Sequence, residues 1–249
     1  MMPSPGFPLH WRGGAVAFRR SLILFWTLDG LLLSAFVAAR ALVYFDVLEA
    51  VPGMLSLNAE YTLPESFNYG KWALAALCLA LAFLRSRVPL FGCLAVVFAM
   101  LLVDDALLIH ETLGWDVARV LAIPPMLNLD PKQIGEIVVF GVMGLIALGL
   151  IAFGHVRSAA AYHAFAHRYL FVIVALAVVG VLGDALHHAL WGVWSGTTRN
   201  VIDLVLTLIE DGGEMLLGSL AVAYSVGVVG IAGTGPQPAP AQSAASPAR

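Results

Sequence analysis

The sequence contains little charge. Only 12% of its 249 residues are Asp, Glu, Lys or Arg, whereas a soluble domain carries about 25%. The hydrophobic fraction is 60% and the mean hydropathy is +0.89, both far towards the apolar extreme. Apolar stretches of roughly 20 residues recur, which is the length that crosses about 30 Å of hydrocarbon. The sequence therefore predicts an all-α polytopic membrane bundle and excludes an ordinary soluble domain.

Other scarce residues exclude further classes of protein. The net charge of −3 gives no basis for binding nucleic acid. The two cysteines, Cys78 and Cys93, lie in apolar stretches without metal-ligand spacing, which favours a packing role. The two lysines, Lys71 and Lys132, fall at the ends of predicted spans, which argues against a retinal protein. Neither a glycine-rich phosphate loop nor a GxSxG motif occurs.

Six apolar segments organise the chain. The predicted spans are 20–43, 70–86, 89–113, 132–154, 169–193 and 199–230. We divide the chain into a cytoplasmic lead (1–18), a membrane domain (19–230) and a Pro/Ala/Ser-rich tail (231–249) that should be disordered. The first span is too long for a cleavable signal and has no clear cleavage site.

Basic residues predict the orientation of the spans. With six spans both termini share one side, whose loops contain eight arginines and no acid; the opposite loops are rich in Asp and Glu. Because basic loops stay in the cytoplasm, both termini are predicted to be cytoplasmic. We expect a multi-pass protein of the cell inner (plasma) membrane.

Acids and histidines lie inside the predicted spans, where each costs several kcal/mol unless it is paired, hydrated or bound to a cation. The segments are VDDALLIHE at 103–111, GDALHH at 183–188 and IEDGGEM at 209–215. At a rise of about 1.5 Å per residue, most of these groups fall in the outer half of the bilayer. We expect them to converge on one pocket.

Helical phase predicts that each of three spans directs its polar residues to one face. At about 100° per residue, Asp104 and Glu111 differ by only about 20° around the helix. The other residues that share a face are Asp184, His187 and His188 in span five, and Asp203, Glu210 and Glu214 in span six. Span four adds Glu136 near its start.

A divalent metal would offset the repulsion between these carboxylates. Asp, Glu and His are ligands of Fe, Zn and Mn, and helical bundles build dinuclear carboxylate sites from such residues. The predicted ligands of one or two ions are Asp104, Glu111, Glu136, Asp184, His187, His188, Glu210 and Glu214. The residues placed beside them, to orient ligands or move protons, are Asp105, His110, Asp203 and Asp211.

Two smaller features carry predictions of their own. Asp29 is a lone acid in span one, and it is expected either to pair with a neighbouring span or to relay protons. Gly141, Gly144 and Ala147 form a strip of small residues on span four, which predicts close helix packing.

The motifs DDALLIHE at 104–111 and EDGGEMLLG at 210–218 resemble a pattern of uncharacterised bacterial multi-pass membrane proteins. In that pattern an acidic pair precedes HE, and a later helix carries an acidic pair followed by EM. LPESFNYGK at 63–71 fits the same resemblance, which covers roughly residues 20–230. The resemblance implies a membrane protein and supplies no activity.

A second resemblance is rejected. His163 and His167 have the HxxxH spacing of the histidine boxes in membrane desaturases. His167 and Asp184 are 17 residues apart, about 25 Å along one helix. The HxxxH motif and the GDALHH segment therefore cannot bind the same pair of metal ions.

Three functions remain open from the sequence. The favoured one is a metal-dependent enzyme, with iron or zinc, acting on a lipid or small hydrophobic substrate. The second is a proton- or cation-coupled transporter that uses the same acids. The third is a non-catalytic sensor or assembly subunit. Membrane lipid is the expected partner, and a homo-oligomer is compatible with the sequence.

Overall fold

The computed structural model describes residues 12–191 and 193–232, and no β-strand occurs within these ranges. The helices are α1 Arg12–Tyr44, α2 Leu63–Ser86, α3 Pro89–Leu107, α4 Ile109–Val120, α5 Pro131–Arg157, α6 His163–Leu176, α7 Gly183–Leu190 and α8 Gly196–Ala232. A π-helical segment, Ala177–Leu182, joins α6 to α7. The predicted tail falls almost wholly outside the described residues.

Six helical segments are long and apolar enough to cross a membrane, which confirms the predicted all-α fold and number of spans. They are Gly14–Tyr44, Leu63–Ser86, Pro89–Leu107, Pro131–Arg157, Ala160–Leu190 and Gly196–Gly230. The chain is therefore a multi-pass membrane protein. The cytoplasmic location of its termini stays a prediction.

Local sequence signals set several helix ends. Thr62 accepts a hydrogen bond from the Glu65 backbone and begins α2 with a capping box, and Asp130 begins α5 with a second capping box. Both helices have proline in the first turn, where its missing N–H leaves no hydrogen bond unmade. Arg87 ends α2 in the left-handed conformation, with φ 56°, which produces the short turn before α3.

The prediction that span three continues as one helix to residue 113 is wrong. Leu108 has φ 50°, in the left-handed region, and it separates α3 from α4. For a non-glycine residue this conformation costs about 1–3 kcal/mol. The shared face predicted for Asp104 and Glu111 is wrong for the same reason, because phase is not carried across the break.

The predicted close packing at Gly141 and Gly144 is also wrong. A Cβ atom at either glycine would meet nothing within 4 Å. Tight approaches on α5 occur instead at Gly135, where a Cβ would collide with the Gly114 carbonyl oxygen in α4, and at Gly154, where it would lie 2.8 Å from Leu90 Cα in α3. Small residues let two helix backbones approach in lipid, and of the predicted strip only Ala147 is buried.

The two halves of the bundle differ in composition. The end near Arg87 contains an apolar core to which α2, α3, α6 and α8 contribute Leu79, Phe98, Tyr169 and Val222, all fully buried. We call the other end, where α1 ends and α2 begins, the acidic end. Because lipid offers no hydrophobic driving force, close van der Waals packing is what joins the helices at the apolar end.

A buried ion pair joins α1, α2 and α8. Lys71 Nζ lies 2.9 Å from Asp29 Oδ1, and both side chains have no exposed surface. Ser219 donates a hydrogen bond of 2.5 Å to the second Asp29 oxygen, and Lys71 donates one of 2.7 Å to the Met215 carbonyl. Of the two roles predicted for Asp29, pairing with another span is confirmed. Because α2 begins at Leu63, Lys71 lies inside the helix rather than at its end.

Removing one member of this pair should lower the free energy of unfolding by about 3–5 kcal/mol, because the other charge is then buried alone. Thermal unfolding of Asp29→Asn and of Lys71→Met in detergent measures the loss. The control is Asp116→Asn, which removes an exposed pair with Arg119 and should cost at most about 1 kcal/mol.

The double variant Asp29→Leu/Lys71→Met removes both charges and should recover most of the loss. Equal unfolding temperatures for Asp29→Asn and Asp116→Asn would contradict a structural role for the pair.

Candidate metal centre

A cavity of about 1020 Å³ lies between the helices at the acidic end. Eleven of the twelve residues singled out from the sequence line it, and they come from α3, α4, α5, α7 and α8. They are Asp105, His110, Glu111, Glu136, Asp184, His187, His188, Asp203, Glu210, Asp211 and Glu214. Asp104 does not line this cavity and is 2% exposed. Whether any of them binds a metal stays a prediction.

Asp104, Asp105 and His110 form the closest group of metal-ligand types among the described residues. Each offers one ligand atom, and these atoms lie within 4.8 Å of one another. The break at Leu108 brings them together, since it turns the first residues of α4 back over the end of α3. A spacing of this size lets three donors share one ion.

Asp104 fixes the position of His110. Its Oδ1 accepts a 2.9 Å hydrogen bond from the His110 backbone N–H, and its Oδ2 lies 3.0 Å from His110 Nδ1. The imidazole ring also stacks on Phe140, with 4.6 Å between ring centroids. Asp105 is held separately, because Trp72 Nε1 donates to its Oδ2 over 2.8 Å.

The pKa of His110, which lies in α4 outside the spans, is raised. Burial of the ring acts in the opposite direction, but the hydrogen bond to Asp104 and the charges of Asp104, Asp105 and Glu136 outweigh it. The carboxylates around His110 therefore favour positive charge at this position, either on the protonated ring or on a bound cation.

Lys132 occupies the α4–α5 side of the cavity. Its Nζ lies 2.5 Å from Glu111 Oε2 and 3.0 Å from Glu136 Oε1. Gly114 leaves room for this arrangement, since a Cβ there would lie 2.5 Å from Glu136 Cγ. Two of the predicted ligands are therefore ion-paired with a lysine.

His187 is the centre of a hydrogen-bonded chain. Its Nδ1 lies 3.1 Å from Glu210 Oε2, and its Nε2 lies 3.1 Å from Asp203 Oδ1. Arg40 on α1 donates to the other Asp203 oxygen over 2.6 Å. With both nitrogens engaged, the ring has no lone pair free for an ion in this arrangement. The next histidine, His188, pairs with Asp184 at 2.9 Å.

The π-helical segment makes room for the acids of α8. A Cβ at Gly180 would collide with the Glu214 carboxylate, and one at Gly183 would lie 3.5 Å from Glu210 Cβ. Single turns of π-helix inside α-helices are frequent at functional sites. Here the altered winding puts two glycines opposite two of the predicted ligands.

Several residues of the cavity wall were not predicted from the sequence. The Tyr69 hydroxyl contacts the Glu65 carboxylate and lies 3.2 Å from the Asp105 carbonyl oxygen. Trp72 and Lys132 bind carboxylates on the cavity wall. The spacing of Glu65, Tyr69 and Trp72 at i, i+4 and i+7 was the available signal, because it places all three on one helix face.

Three histidines cluster at the opposite end of the bundle. The His155 ring centroid lies 3.8 Å from that of His163 and 5.4 Å from that of His167. None of the three lines the acidic cavity. Asp184 does line that cavity, so the structure does not bring these histidines and Asp184 into one site.

A family model described as Domain of unknown function (DUF8692) matches residues 31–228. The chain belongs to this family. The match begins inside α1 and ends inside α8, so it contains the whole cavity. No curated protein and no solved structure shows significant similarity to the chain.

Substituting Gly180→Ala should destabilise the protein, because the added methyl group occupies the position of the Glu214 carboxylate. Thermal unfolding should show a loss of about 1–3 kcal/mol, the usual cost of overpacking. Gly141→Ala is the matched control, since its methyl group would meet nothing within 4 Å.

Combining Gly180→Ala with Glu214→Ala should restore part of the stability, because the shorter side chain removes the collision. If the effects of the two substitutions simply add, the contact between Gly180 and Glu214 has no energetic role.

The pH dependence of stability should report on Glu60 at the cavity wall. Burial, a hydrogen bond with Glu65 and the charges of Glu65 and Glu111 raise its pKa from 4.5 to about 7. The folded state therefore holds this proton more tightly, and stability should fall as the pH rises from about 4.5 to about 7.

Glu60→Gln mimics the protonated form, so the variant should equal the wild type at low pH and exceed it above pH 7. Unfolding temperatures across this range test the difference. Glu49→Gln makes the same change outside the cavity, and its curve should run parallel to that of the wild type. A parallel curve for Glu60→Gln would exclude the assigned titration.

Proposed function

We propose that this chain is a membrane metalloprotein whose ion is bound at the group formed by Asp104, Asp105 and His110, and that the ion serves an enzyme acting on a membrane-soluble substrate. The observation that carries the proposal is the approach of these three side chains within 4.8 Å of one another, with Asp105 and His110 on the wall of the large cavity.

The contacts favour different roles for all three of these residues than the sequence did. His110 lines the cavity and Asp104 lies behind it, bonded to His110 Nδ1. Metal-bound histidines usually donate their second ring N–H to a carboxylate, which fixes the ring and strengthens the ligand. We assign His110 Nε2 and Asp105 as ligands, and Asp104 as the group that orients His110.

The charge balance of the cavity also favours a cation. Eleven carboxylates line it, against one lysine and three histidines among the described residues. These acids are Glu60, Glu65, Asp105, Glu111, Asp130, Glu136, Asp184, Asp203, Glu210, Asp211 and Glu214. Carboxylates crowded in a low dielectric repel one another, and one or two divalent ions relieve that repulsion.

A bound divalent ion would supply Lewis acidity for hydrolysis if it is zinc, or redox chemistry if it is iron. The residues of the chain provide the surroundings. Trp72 holds Asp105, and the Glu65–Tyr69 pair lies beside it with a proton to exchange. Deeper in the cavity, Leu101, Phe140 and Ile173 give an apolar surface suited to a hydrophobic substrate.

A second candidate function is proton- or cation-coupled transport. The chain from Arg40 through Asp203 and His187 to Glu210 connects three helices by hydrogen bonds of 2.6–3.1 Å. Intramembrane acids and histidines linked in this way are typical of proton relays. This function uses the α8 side of the cavity and does not need His110.

Metal analysis of purified protein tests the proposal. The wild type should contain iron, zinc or manganese in stoichiometric amount, and His110→Ala should lose it. Asp104→Asn should weaken metal affinity by about 10- to 100-fold, as expected for a residue that orients a ligand. His155→Ala, at the opposite end of the bundle, is the matched control and should keep the metal.

Metal-free wild-type protein would contradict the metal centre. If such protein moves protons or cations in liposomes, and His187→Gln abolishes that flux while His110→Ala does not, transport replaces the enzyme as the function.

A further inference from the structure

A second cavity of about 430 Å³ lies on the outer surface of the bundle, between α3, α4 and α5. Its wall is apolar apart from Asp104, and it includes the exposed side chains Val103, Leu113, Val138 and Val142. We call it the groove. Its volume falls within the range of about 300–1000 Å³ that is usual for small-molecule sites.

The groove adjoins the acidic cavity. Met100 of α3 and Met143 of α5 line both, so these two side chains form part of the wall between them. Methionine side chains are flexible and unbranched, and they adapt to varied neighbours. Asp104, which binds His110, lies on the groove side of the same wall.

The position of the groove determines what medium it meets. Its α3 and α5 residues, from Met100 to Val103 and from Val138 to Ile146, belong to membrane-spanning segments. An alkyl chain in the bilayer therefore reaches the groove without crossing water. The polar end of such a molecule would lie near Met100, Met143 and Asp104, at the boundary with the acidic cavity.

The negative charge of the acidic cavity determines which head groups it would accept. Its wall has eleven carboxylates and a single lysine among the described residues. With every carboxylate ionised and the histidines neutral, one or two divalent ions together with Lys132 and Arg40 would still leave the wall with a net negative charge. A head group that carries a phosphate or carboxylate would be repelled, whereas an amine or hydroxyl group would be accepted.

We propose that the substrate is a single-chain amphiphile without negative charge, a long-chain amine or alcohol, whose chain lies in the groove and whose head enters the acidic cavity past Met100 and Met143. This inference rests on the proposed function, since it names the substrate class of that metal centre.

Photolabelling in native membranes tests the inference. The probes are a long-chain amine and a fatty acid of equal length, each with a diazirine in the alkyl chain. Mass spectrometry should locate amine labels on the groove residues of α4 and α5. Labelling should saturate, should be competed by unlabelled amine, and should exceed fatty-acid labelling several-fold.

Two matched variants separate the groove from the rest of the surface. Val142→Trp fills the groove, and saturable labelling should fall to background while metal content stays at the wild-type value. Leu145→Trp makes an equally large change on the same helix, at a residue that is 71% exposed and lines neither cavity, and it should label as the wild type does.

Three other outcomes would overturn all or part of the inference. Labelling that does not saturate, or that is equal for the two variants, identifies ordinary bilayer lipid and overturns the inference. Preference for the fatty acid overturns the assignment of the head group. If the wild type lacks metal but labels saturably at the groove, the metal centre fails and the groove stands only as a lipid site, not a substrate site.

Discussion

The structure depends on the rule that a charge within hydrocarbon must have a partner. Asp29 and Lys71 satisfy it with each other, and Ser219 occupies the second carboxylate oxygen. This contact fixes α1 and α2 against α8 at a depth where water cannot replace a lost partner. At the acidic end the same rule is met only in part, because carboxylates outnumber the basic groups around the cavity. The shortage of positive charge there is the feature that makes the cavity a candidate for binding cations.

The break at Leu108 shows how a small irregularity can create a site. A continuous helix would place His110 about 120° around α3 from Asp104, since six residues rotate by about 600°. The left-handed residue returns His110 to Asp104, which then binds both its backbone and its ring. The π-helical segment has a similar effect on the opposite wall, where it sets Gly180 against Glu214. In both places the backbone departs from regular α-helix beside the acids.

Composition and apolar length predicted the class of fold and the six spans, because the bilayer imposes one length on every crossing. They also identified most of the acids and histidines that surround the cavity, because a polar side chain inside a span is costly unless it has a partner. Which of these side chains contact one another could not be predicted from the sequence. Helical phase assumes an unbroken helix, and no residue type near Leu108 indicates a left-handed conformation. The partnership of Asp29 with Lys71 depends on how far α2 extends, which hydropathy alone does not define.

The unequal packing of the two halves has a consequence for motion. Local opening needs the least free energy where few side chains interlock, and the most where they are densely packed. We therefore expect the half that contains Leu79, Phe98 and Tyr169 to resist opening, and the half around the cavity to open at a lower cost in free energy. Separation of α3 from α5 at Met100 and Met143 would admit a molecule sideways from the bilayer and leave the packed half unchanged.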